Sequence, residues 1–254
     1  MSFKNKHTII TGGANGIGRC IAEAFLHEGA FVVIIDIDKS AGEKLAKQYS
    51  NLRFFHGDIA VKDTLDTFVS SLDQPVNYVV NNACIGRRGL LSDCSYEDFE
   101  YVQRVGVTAP YYLSNLLLRS NLIASGTSIV NISSTRAHQS QPDTESYTAA
   151  KGGITALTHA MAISLAGRAR VNCISPGWID LRTDNDNTSK CGLSKSDITQ
   201  HPAGRVGVPS NIAELTLFLC SDKAEFITAE NIVVDGGMSK LMIYHNDHGW
   251  KVKK

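Results

Sequence analysis

The sequence lacks any long hydrophobic run. Within its 254 residues no apolar stretch approaches the roughly 20 residues that a membrane-spanning helix needs, so we expect no membrane partner. Neither sign of charge dominates, because 25 basic residues balance 25 acidic ones, and no overall field favours nucleic acid. Residues 2–7 are polar and lead directly into a predicted strand, so we also expect no signal peptide.

Cysteines are few, and their spacing does not suit a metal site. The six of them show no C-x-x-C spacing, and no histidine cluster accompanies them. Most stand in apolar segments, where cysteine acts as a small buried side chain in a reducing compartment. We therefore expect a cytoplasmic protein without a metal ion. The cysteines are Cys20, Cys84, Cys94, Cys173, Cys191 and Cys220.

Short apolar runs alternate with helical patterns along the chain. Strands are predicted at 7–11, 31–35, 52–56, 76–80, 128–133, 170–174 and 231–234. Helices are predicted at 16–29, 37–49, 61–72, 95–122, 146–166 and 210–220. This alternation predicts an α/β fold, with one doubly wound parallel sheet flanked by helices. No linker or change of composition divides the chain, so residues 1–254 are predicted to form one domain.

A glycine-rich segment, Thr-Gly-Gly-Ala-Asn-Gly-Ile-Gly at 11–18, stands between the first predicted strand and the first predicted helix. Gly12 permits a tight turn, Gly16 lets the backbone approach a pyrophosphate, and Gly18 lets the helix pack close to the sheet. The helix N-terminus then presents its free N–H groups and positive dipole end to the phosphates. A turn that binds nothing is the alternative, but the position between strand and helix argues against it.

Asp36 lies at the carboxyl end of the second predicted strand, 18 residues after Gly18. A carboxylate in this place accepts hydrogen bonds from an adenosine ribose and repels a 2′-phosphate. Neither Ile37 nor Asn15 supplies a positive charge that a 2′-phosphate could use. The sequence therefore predicts a preference for NAD over NADP, the alternative being an aspartate that is merely solvated in a loop.

Tyr147 and Lys151 stand four residues apart in a predicted helix without proline, so both side chains lie on one face. A neighbouring positive charge favours the phenolate and lowers the pKa of a phenol, which makes it a usable general acid or base. Ser134 closes the predicted strand at 128–133, and its hydroxyl could hydrogen-bond a substrate oxygen. Taken alone, the pair is better explained as a packed tyrosine beside a solvated lysine.

The pattern T-G-x-x-x-G-x-G at 11–18 and the pattern S-x12-Y-x3-K at 134–151 occur together. In this combination the sequence closely resembles the short-chain dehydrogenase/reductase family over nearly its whole length. The resemblance implies hydride transfer between a nicotinamide cofactor and an alcohol or carbonyl. Ser134 would polarise the substrate oxygen, and Tyr147 would give or take the proton. Lys151 would favour the ionised form of Tyr147 and hold the nicotinamide ribose.

The resemblance also implies a set of cofactor-binding residues and a lid. Asn81 is expected to brace the sheet, Cys84 replaces the usual glycine, and Leu181 replaces a threonine that commonly holds the diphosphate. The polar segment at about 180–205 is predicted to be a mobile lid over the substrate, with a plain surface insertion as the alternative. The implied cofactor-binding residues are Gly12, Asn15, Gly16, Ile17, Gly18, Asp36, Ile37, Asp58, Ile59, Asn82, Ala83, Tyr147, Lys151, Pro176, Gly177 and Ile179.

Gly106 stands where much of the family has a fourth catalytic residue, an asparagine. Pro110 follows four residues later and has no N–H to donate, so we expect a kinked helix and a released Gly106 carbonyl. In the family the backbone here holds a water that links the catalytic lysine to solvent. We therefore expect a water between the Gly106 carbonyl and Lys151, the alternative being simple loss of the asparagine with slower proton transfer.

Two functions are compatible with these observations. The first is an NAD-dependent oxidoreductase acting on a secondary alcohol or carbonyl, and the second is a cofactor-binding regulatory or structural protein that has lost the chemistry. The intact Ser134, Tyr147 and Lys151 set favours the first. Loop residues weakly favour a polyol, sugar or hydroxy acid as substrate over a steroid or long acyl chain, and these are Arg87, Arg88, Arg136, His138 and Gln141.

Two predicted helices, at 95–122 and 146–166, carry more apolar residues than one sheet face needs. Related enzymes pair these helices across two-fold axes, so we expect a homotetramer with D₂ symmetry. The basic tail at 239–254 either docks on a neighbouring subunit or frays in solvent.

Overall fold

The structure is a computed structural model that describes residues 3–181, 192–244 and 246–247. Within these residues the strands all pair in parallel in one sheet, which confirms the predicted doubly wound α/β fold. The strands are β1 (His7–Thr11), β2 (Phe31–Asp36), β3 (Leu52–His56), β4 (Val76–Asn81), β5 (Ile123–Ile132), β6 (Ala169–Pro176) and β7 (Asn231–Val234). The helices are α1 (Gly16–His27), α2 (Lys39–Ala46), α3 (Lys62–Ser70), α4 (Tyr96–Gln103), α5 (Ala109–Arg119), α6 (Glu145–Ser164), α7 (Lys195–Thr199) and α8 (Pro209–Cys220).

Helices cover both faces of the sheet, and each face has its own hydrophobic core. On one face α1 and α8 meet the sheet through side chains such as Phe25 and Ile212. On the other face α3, α5 and α6 do so, with Phe68 fully buried. The strand β2 sends Ile34 into the first core and Ile35 into the second, which is why its sequence is almost wholly apolar. In the described part of the chain, no helix is long and apolar enough to cross a membrane.

The strands run in the order β3-β2-β1-β4-β5-β6-β7, so the direction of winding reverses between β1 and β4. Thr11 at the end of β1 lies opposite Ile35 of β2 on one side and Asn81 of β4 on the other. The carboxyl ends of these strands therefore meet at one edge of the sheet. In doubly wound sheets, ligands bind in the crevice at this reversal.

Asn81 braces the sheet, as its sequence position led us to expect. Its Nδ2 donates to Oδ1 of Asn131 at 2.8 Å, and Nδ2 of Asn131 donates to Oγ1 of Thr158 at 2.9 Å. All three side chains are buried, and hydrogen bonds pair their polar atoms except for Oδ1 of Asn81, which has no partner among the described residues. The chain of bonds ties β4 to β5 and β5 to α6, directly beneath the edge of the sheet where the strands end.

The prediction of one continuous helix at 95–122 is wrong. After α4 the backbone forms a π-helical turn at Arg104–Thr108, and α5 begins only at Ala109. The N–H of Ala109 reaches five residues back to the carbonyl of Arg104, and Pro110 next to it has no N–H to extend an α-helical ladder. The α-helix is therefore interrupted around Gly106 by a π-helical turn, and the release of the Gly106 carbonyl stays a prediction. The strand β5 also begins at Ile123, earlier than the predicted 128.

Packing explains the glycine inside this turn. A Cβ atom on Gly106 would lie 2.8 Å from the Cβ of Ala150 on α6, closer than such atoms approach in proteins. Since Ala150 precedes Lys151, the absence of a side chain at Gly106 lets the π-helical turn lie against the part of α6 that carries the lysine.

Candidate active site

A cavity of about 1150 Å³ opens at the edge of the sheet where the strands end, across the reversal between β1 and β4. Nearly all of the residues predicted from the sequence to bind cofactor or substrate line it. Gly18 alone among them does not, because it lies beneath the loop: a Cβ on Gly18 would come 2.1 Å from the carbonyl oxygen of Gly12. The predicted residues that line the cavity are Gly12, Asn15, Gly16, Ile17, Asp36, Ile37, Asp58, Ile59, Asn82, Ala83, Ser134, Tyr147, Lys151, Pro176, Gly177 and Ile179.

The glycine-rich segment forms the turn from β1 into α1. Gly12 and Gly16 have φ of +65° and +55°, a conformation that other residues rarely adopt. Asn15 precedes α1 but does not cap it: its Nδ2 donates to Oδ2 of Asp38 at 3.0 Å instead. The first N–H groups of α1 therefore lie beside the cavity without a side-chain acceptor from Asn15. Such a helix start fits a diphosphate group.

Asn82, which follows β4, holds this turn in place. Its Nδ2 donates to the carbonyl oxygens of Thr11 at 3.1 Å and Gly12 at 2.9 Å. In return Oγ1 of Thr11 accepts hydrogen bonds from the backbone N–H groups of Asn82 and Ala83. These bonds connect the ends of β1 and β4, so the loop is positioned before any ligand binds.

Two carboxylates stand together after β2. Asp36 accepts hydrogen bonds from the N–H groups of Ala14 and Asp38, each at 2.9 Å. Asp38 caps α2, and the N–H of Ala41 lowers the pKa of the Asp38 carboxyl. Sequence reasoning found Asp36 but missed Asp38, whose signal was an aspartate directly before a helix. Asp36 lines the cavity and gives this end of it negative charge, and Asp38 lies beside it, outside the lining.

Tyr101 of α4 is a second residue that sequence reasoning missed. Its hydroxyl donates to Oδ2 of Asp58 at 3.0 Å, and both residues line the cavity. Burial raises the pKa of Tyr101, and the bond to the Asp58 carboxylate adds to the effect. Tyr101 therefore remains a hydrogen-bond donor and orients Asp58.

The helix α6 brings Tyr147 and Lys151 to the same side of the cavity. The Nζ of Lys151 lies 5.4 Å from the centre of the Tyr147 ring. Lys151 is only 4% exposed, and its Nζ donates to the carbonyl oxygen of Ile132 at 2.7 Å. The hydroxyl of Ser133 donates to the carbonyl of Lys151 at 2.8 Å. The end of β5 thus holds both the backbone and the side chain of the lysine.

Ser134 completes the group. It is 9% exposed, and its Oγ accepts the N–H of Arg136 at 3.2 Å, which leaves the hydroxyl proton available to another acceptor. The start of α6 is fixed by Ser146, whose carbonyl accepts from Gln103 Nε2 at 2.8 Å and whose hydroxyl donates to the carbonyl of Arg87 at 3.0 Å. Ser134, Tyr147 and Lys151 therefore face one space.

The turn after β6 forms the far wall. A Cβ on Gly177 would lie 2.5 Å from the Cβ of Asp235, so the close packing at this turn requires glycine. Leu181 lines the cavity, and a Cβ on Gly16 would lie 3.6 Å from its methyl groups. Of the predicted lid at about 180–205, residues 182–191 lie outside the described residues, while Gln200, directly after α7, lines the cavity.

Several further cavity residues come from loops in which no motif marked them. Of the loop residues that suggested a polar substrate, the structure brings Arg87, Arg136 and Gln141 into the lining and leaves Arg88 and His138 outside it. No group of three metal-ligating side chains occurs among the described residues. The lining residues without a sequence signal include Gly86, Thr135, Gln139, Ser140, Thr144, Trp178, Gln200 and Met238.

Comparison with known proteins gives whole-chain matches. A family model described as enoyl-(acyl carrier protein) reductase matches residues 12–239. An uncharacterized oxidoreductase of Thermotoga maritima is 41% identical over 253 residues, which cover 95% of this chain and 99% of that protein. A solved apo SCOR enzyme from Clostridium thermocellum is 47% identical with a TM-score of 0.90, covering 98% of this chain and 99% of that one.

A second solved structure carries a family name. It is a short-chain dehydrogenase/reductase of Brucella melitensis, described as a glucose/ribitol dehydrogenase, with 30% identity and a TM-score of 0.84. It covers 94% of this chain and 99% of its own. These matches span both the glycine-rich segment and the segment from Ser134 to Lys151. The chain belongs to the short-chain dehydrogenase/reductase family, whose members are oxidoreductases that use a nicotinamide cofactor.

Proposed function

We propose that this protein is an NAD-dependent oxidoreductase that interconverts a secondary alcohol and the corresponding carbonyl compound. One observation carries the proposal: Ser134, Tyr147 and Lys151 line the same cavity as Asp36 and the uncapped start of α1. A single space therefore contains a proton-transfer group and a place for a dinucleotide.

Tyr147 transfers the proton. In the direction of oxidation its phenolate oxygen accepts the proton of the alcohol, while the Ser134 hydroxyl donates a hydrogen bond to the same substrate oxygen. The ammonium of Lys151 lies 5.4 Å from the centre of the Tyr147 ring, so a positive charge stands beside the group that exchanges the proton. A nicotinamide cofactor held in this cavity would supply the redox chemistry, as the hydride acceptor for a reaction in which alcohol and NAD⁺ give carbonyl, NADH and one proton.

The choice of NAD over NADP follows from charge. Asp36 and Asp38 stand side by side at the end of β2, and neither forms an ion pair with a described lysine or arginine that could receive a phosphate. A 2′-phosphate there would meet two carboxylates, whereas ribose hydroxyls can donate hydrogen bonds to them.

We also propose that the whole chain acts as one domain in a cytoplasmic homotetramer. Exposed apolar side chains on α5 and α6 support the assembly, since Tyr111 is 53% and Ile163 75% exposed in the single chain. The other partner is a small-molecule substrate.

The second candidate is an NAD-binding regulatory or structural protein without activity, and Gly106 in place of the family's asparagine favours it. A titration of NADH fluorescence, followed by a turnover screen across alcohols, sugars and ketones, separates the two. Binding with turnover supports the oxidoreductase, and binding without turnover of any compound supports the second candidate. Failure to bind NADH contradicts both.

A further inference from the structure

We propose that the substrate carries a carboxylate, and that Arg136 binds it beside the reacting carbon. This inference rests on the proposed alcohol–carbonyl chemistry of the same cavity. The class of substrate is a short hydroxylated carboxylic acid, such as a sugar acid, and not a neutral polyol or an acyl chain.

The position of Arg136 is the first argument. It follows Ser134 by two residues, and its N–H bonds to the Ser134 hydroxyl. The guanidinium carbon lies 6.0 Å from the centre of the Tyr147 ring. A substrate oxygen held between Ser134 and Tyr147 is therefore within a few carbon atoms of this cation.

The second argument is that the charge of Arg136 has no acidic partner in the described part of the chain. Its side chain is half-buried, and its one hydrogen bond to a described residue runs from Nη2 to Oε1 of the neutral Gln141. Gln141 fixes the direction of the guanidinium but leaves the other N–H groups unused. Because a guanidinium has five donors in a planar fork that matches a carboxylate, this arrangement suits a bidentate contact.

The third argument is the distribution of charge around the cavity. Among the described lining residues only Asp36 and Asp58 are acidic. Asp36 ends β2 and Asp58 follows β3, on the other side of the sheet reversal from Ser134. Arg87 also lines the cavity, but Asp98 pairs with it at 3.1 Å. The substrate end is therefore positive, and Arg136 is the cation there that neither a carboxylate nor the reaction uses.

Several of the other lining residues are polar, and Leu181 and Met238 add some apolar surface. The polar residues suit hydroxyl groups, because amides and hydroxyls provide donors and acceptors. Trp178 adds one aromatic surface. The polar residues are Gln139, Ser140, Gln141, Thr144 and Gln200.

The test compares probes that differ only in the charged group. The full-length protein is assayed with NAD⁺ on D-gluconate against D-sorbitol, D-galactonate against galactitol, and 3-hydroxybutyrate against 1,3-butanediol. We expect kcat/KM for the acids to exceed that for the matched alcohols by about 10- to 100-fold. This is the effect expected from one or two charge-assisted hydrogen bonds.

Two arginine variants make the test specific to Arg136. Arg136→Gln leaves a shorter, neutral but polar side chain and should remove most of the acid preference, mainly through KM, so that kcat/KM falls at least about tenfold more for the acids than for the matched alcohols. Arg168→Gln is the matched control, because Arg168 is exposed at the amino end of β6, away from the cavity, and should change neither. Equal losses on acids and alcohols in Arg136→Gln would mean that the residue is structural.

Calorimetric titration of the same acids into the NADH complex distinguishes a failure of this inference from a failure of the proposed function. Acid binding that Arg136→Gln abolishes, without turnover, would support the carboxylate site and contradict the oxidoreductase. Turnover of alcohols without acid preference would contradict the carboxylate site alone. Preference for a sugar phosphate over the matched acid, or no binding of any acid, would also overturn it.

Discussion

The hydroxyl of Tyr147 is the group on which turnover is expected to depend most. Tyr147→Phe keeps the ring, which lies near Gly86 and Arg136, and removes only the hydroxyl group. We expect kcat to fall about 10²-fold or more, because a general acid–base is lost, while the NADH dissociation constant stays within about twofold. Steady-state kinetics and fluorescence titration measure the two quantities. Near-normal kcat in this variant would show that Tyr147 is structural.

A single charge at Asp36 is expected to set the cofactor preference. Asp36→Asn retains an acceptor for the Ala14 N–H but removes the negative charge. The ratio of kcat/KM for NAD⁺ to that for NADP⁺ should fall about tenfold or more, since repulsion of the 2′-phosphate is weakened. Asp38→Asn, which keeps the cap of α2, should act in the same direction. Equal use of both cofactors by the unaltered protein would contradict the NAD preference outright.

At the scale of elements, the π-helical turn between α4 and α5 is expected to serve proton exchange. Pro110→Ala restores an N–H that can extend an α-helical ladder to the Gly106 carbonyl. We expect kcat to fall while NADH affinity changes little, because the carbonyl is then unavailable to a water near Lys151. A high-resolution structure with cofactor checks the water directly. An unchanged kcat, or Gly106 bonded within the helix and no water near Lys151, would contradict this prediction.

The close approach of this turn to α6 gives a second prediction. Gly106→Ala places a Cβ 2.8 Å from that of Ala150, and we expect it to destabilise the fold by about 1–3 kcal/mol through overpacking. Gly152→Ala, on α6 like Ala150, is the control. Apart from its chain neighbours and the backbone of its own helix, no atom lies within 4 Å of its added Cβ, so it should stabilise α6 by about 0.5–1 kcal/mol. Urea unfolding measures the free energy of unfolding of both variants. Equal changes would show that the contact with Ala150 does not set the effect of the substitution at Gly106.

At the scale of the whole molecule, assembly is the main expectation. The exposed apolar side chains of α5 and α6 favour pairing of these helices across two-fold axes. Light scattering at micromolar concentration should report about four times the chain mass of 27.5 kDa. Tyr111→Lys, which places a charge on the outer face of α5, should lower that mass. A monomer mass for the unaltered protein would contradict the tetramer.

The sequence by itself determined the features that depend on near neighbours in the chain. Strand bounds at β1, β3 and β7 were predicted to the residue, because short apolar runs between turns are visible locally. The glycine-rich turn, Asp36, and the pair Tyr147 and Lys151 were also predicted, since each rests on spacing within a strand end or a helix turn. Helix α1 is two residues shorter than predicted because the chain turns at Gly29, with φ of +85°.

Only the tertiary structure decided which distant segments meet at the edge of the sheet. Nothing local to α4 shows that Tyr101 bonds to Asp58, which is 43 residues away. Nothing local to Gly106 shows that Ala150 leaves no room for a side chain. The place of Arg136 over the Tyr147 ring depends on the loop after β5 folding back onto α6. Spacing within an element fixes which residues share a face, whereas contacts between elements depend on how the whole sheet packs.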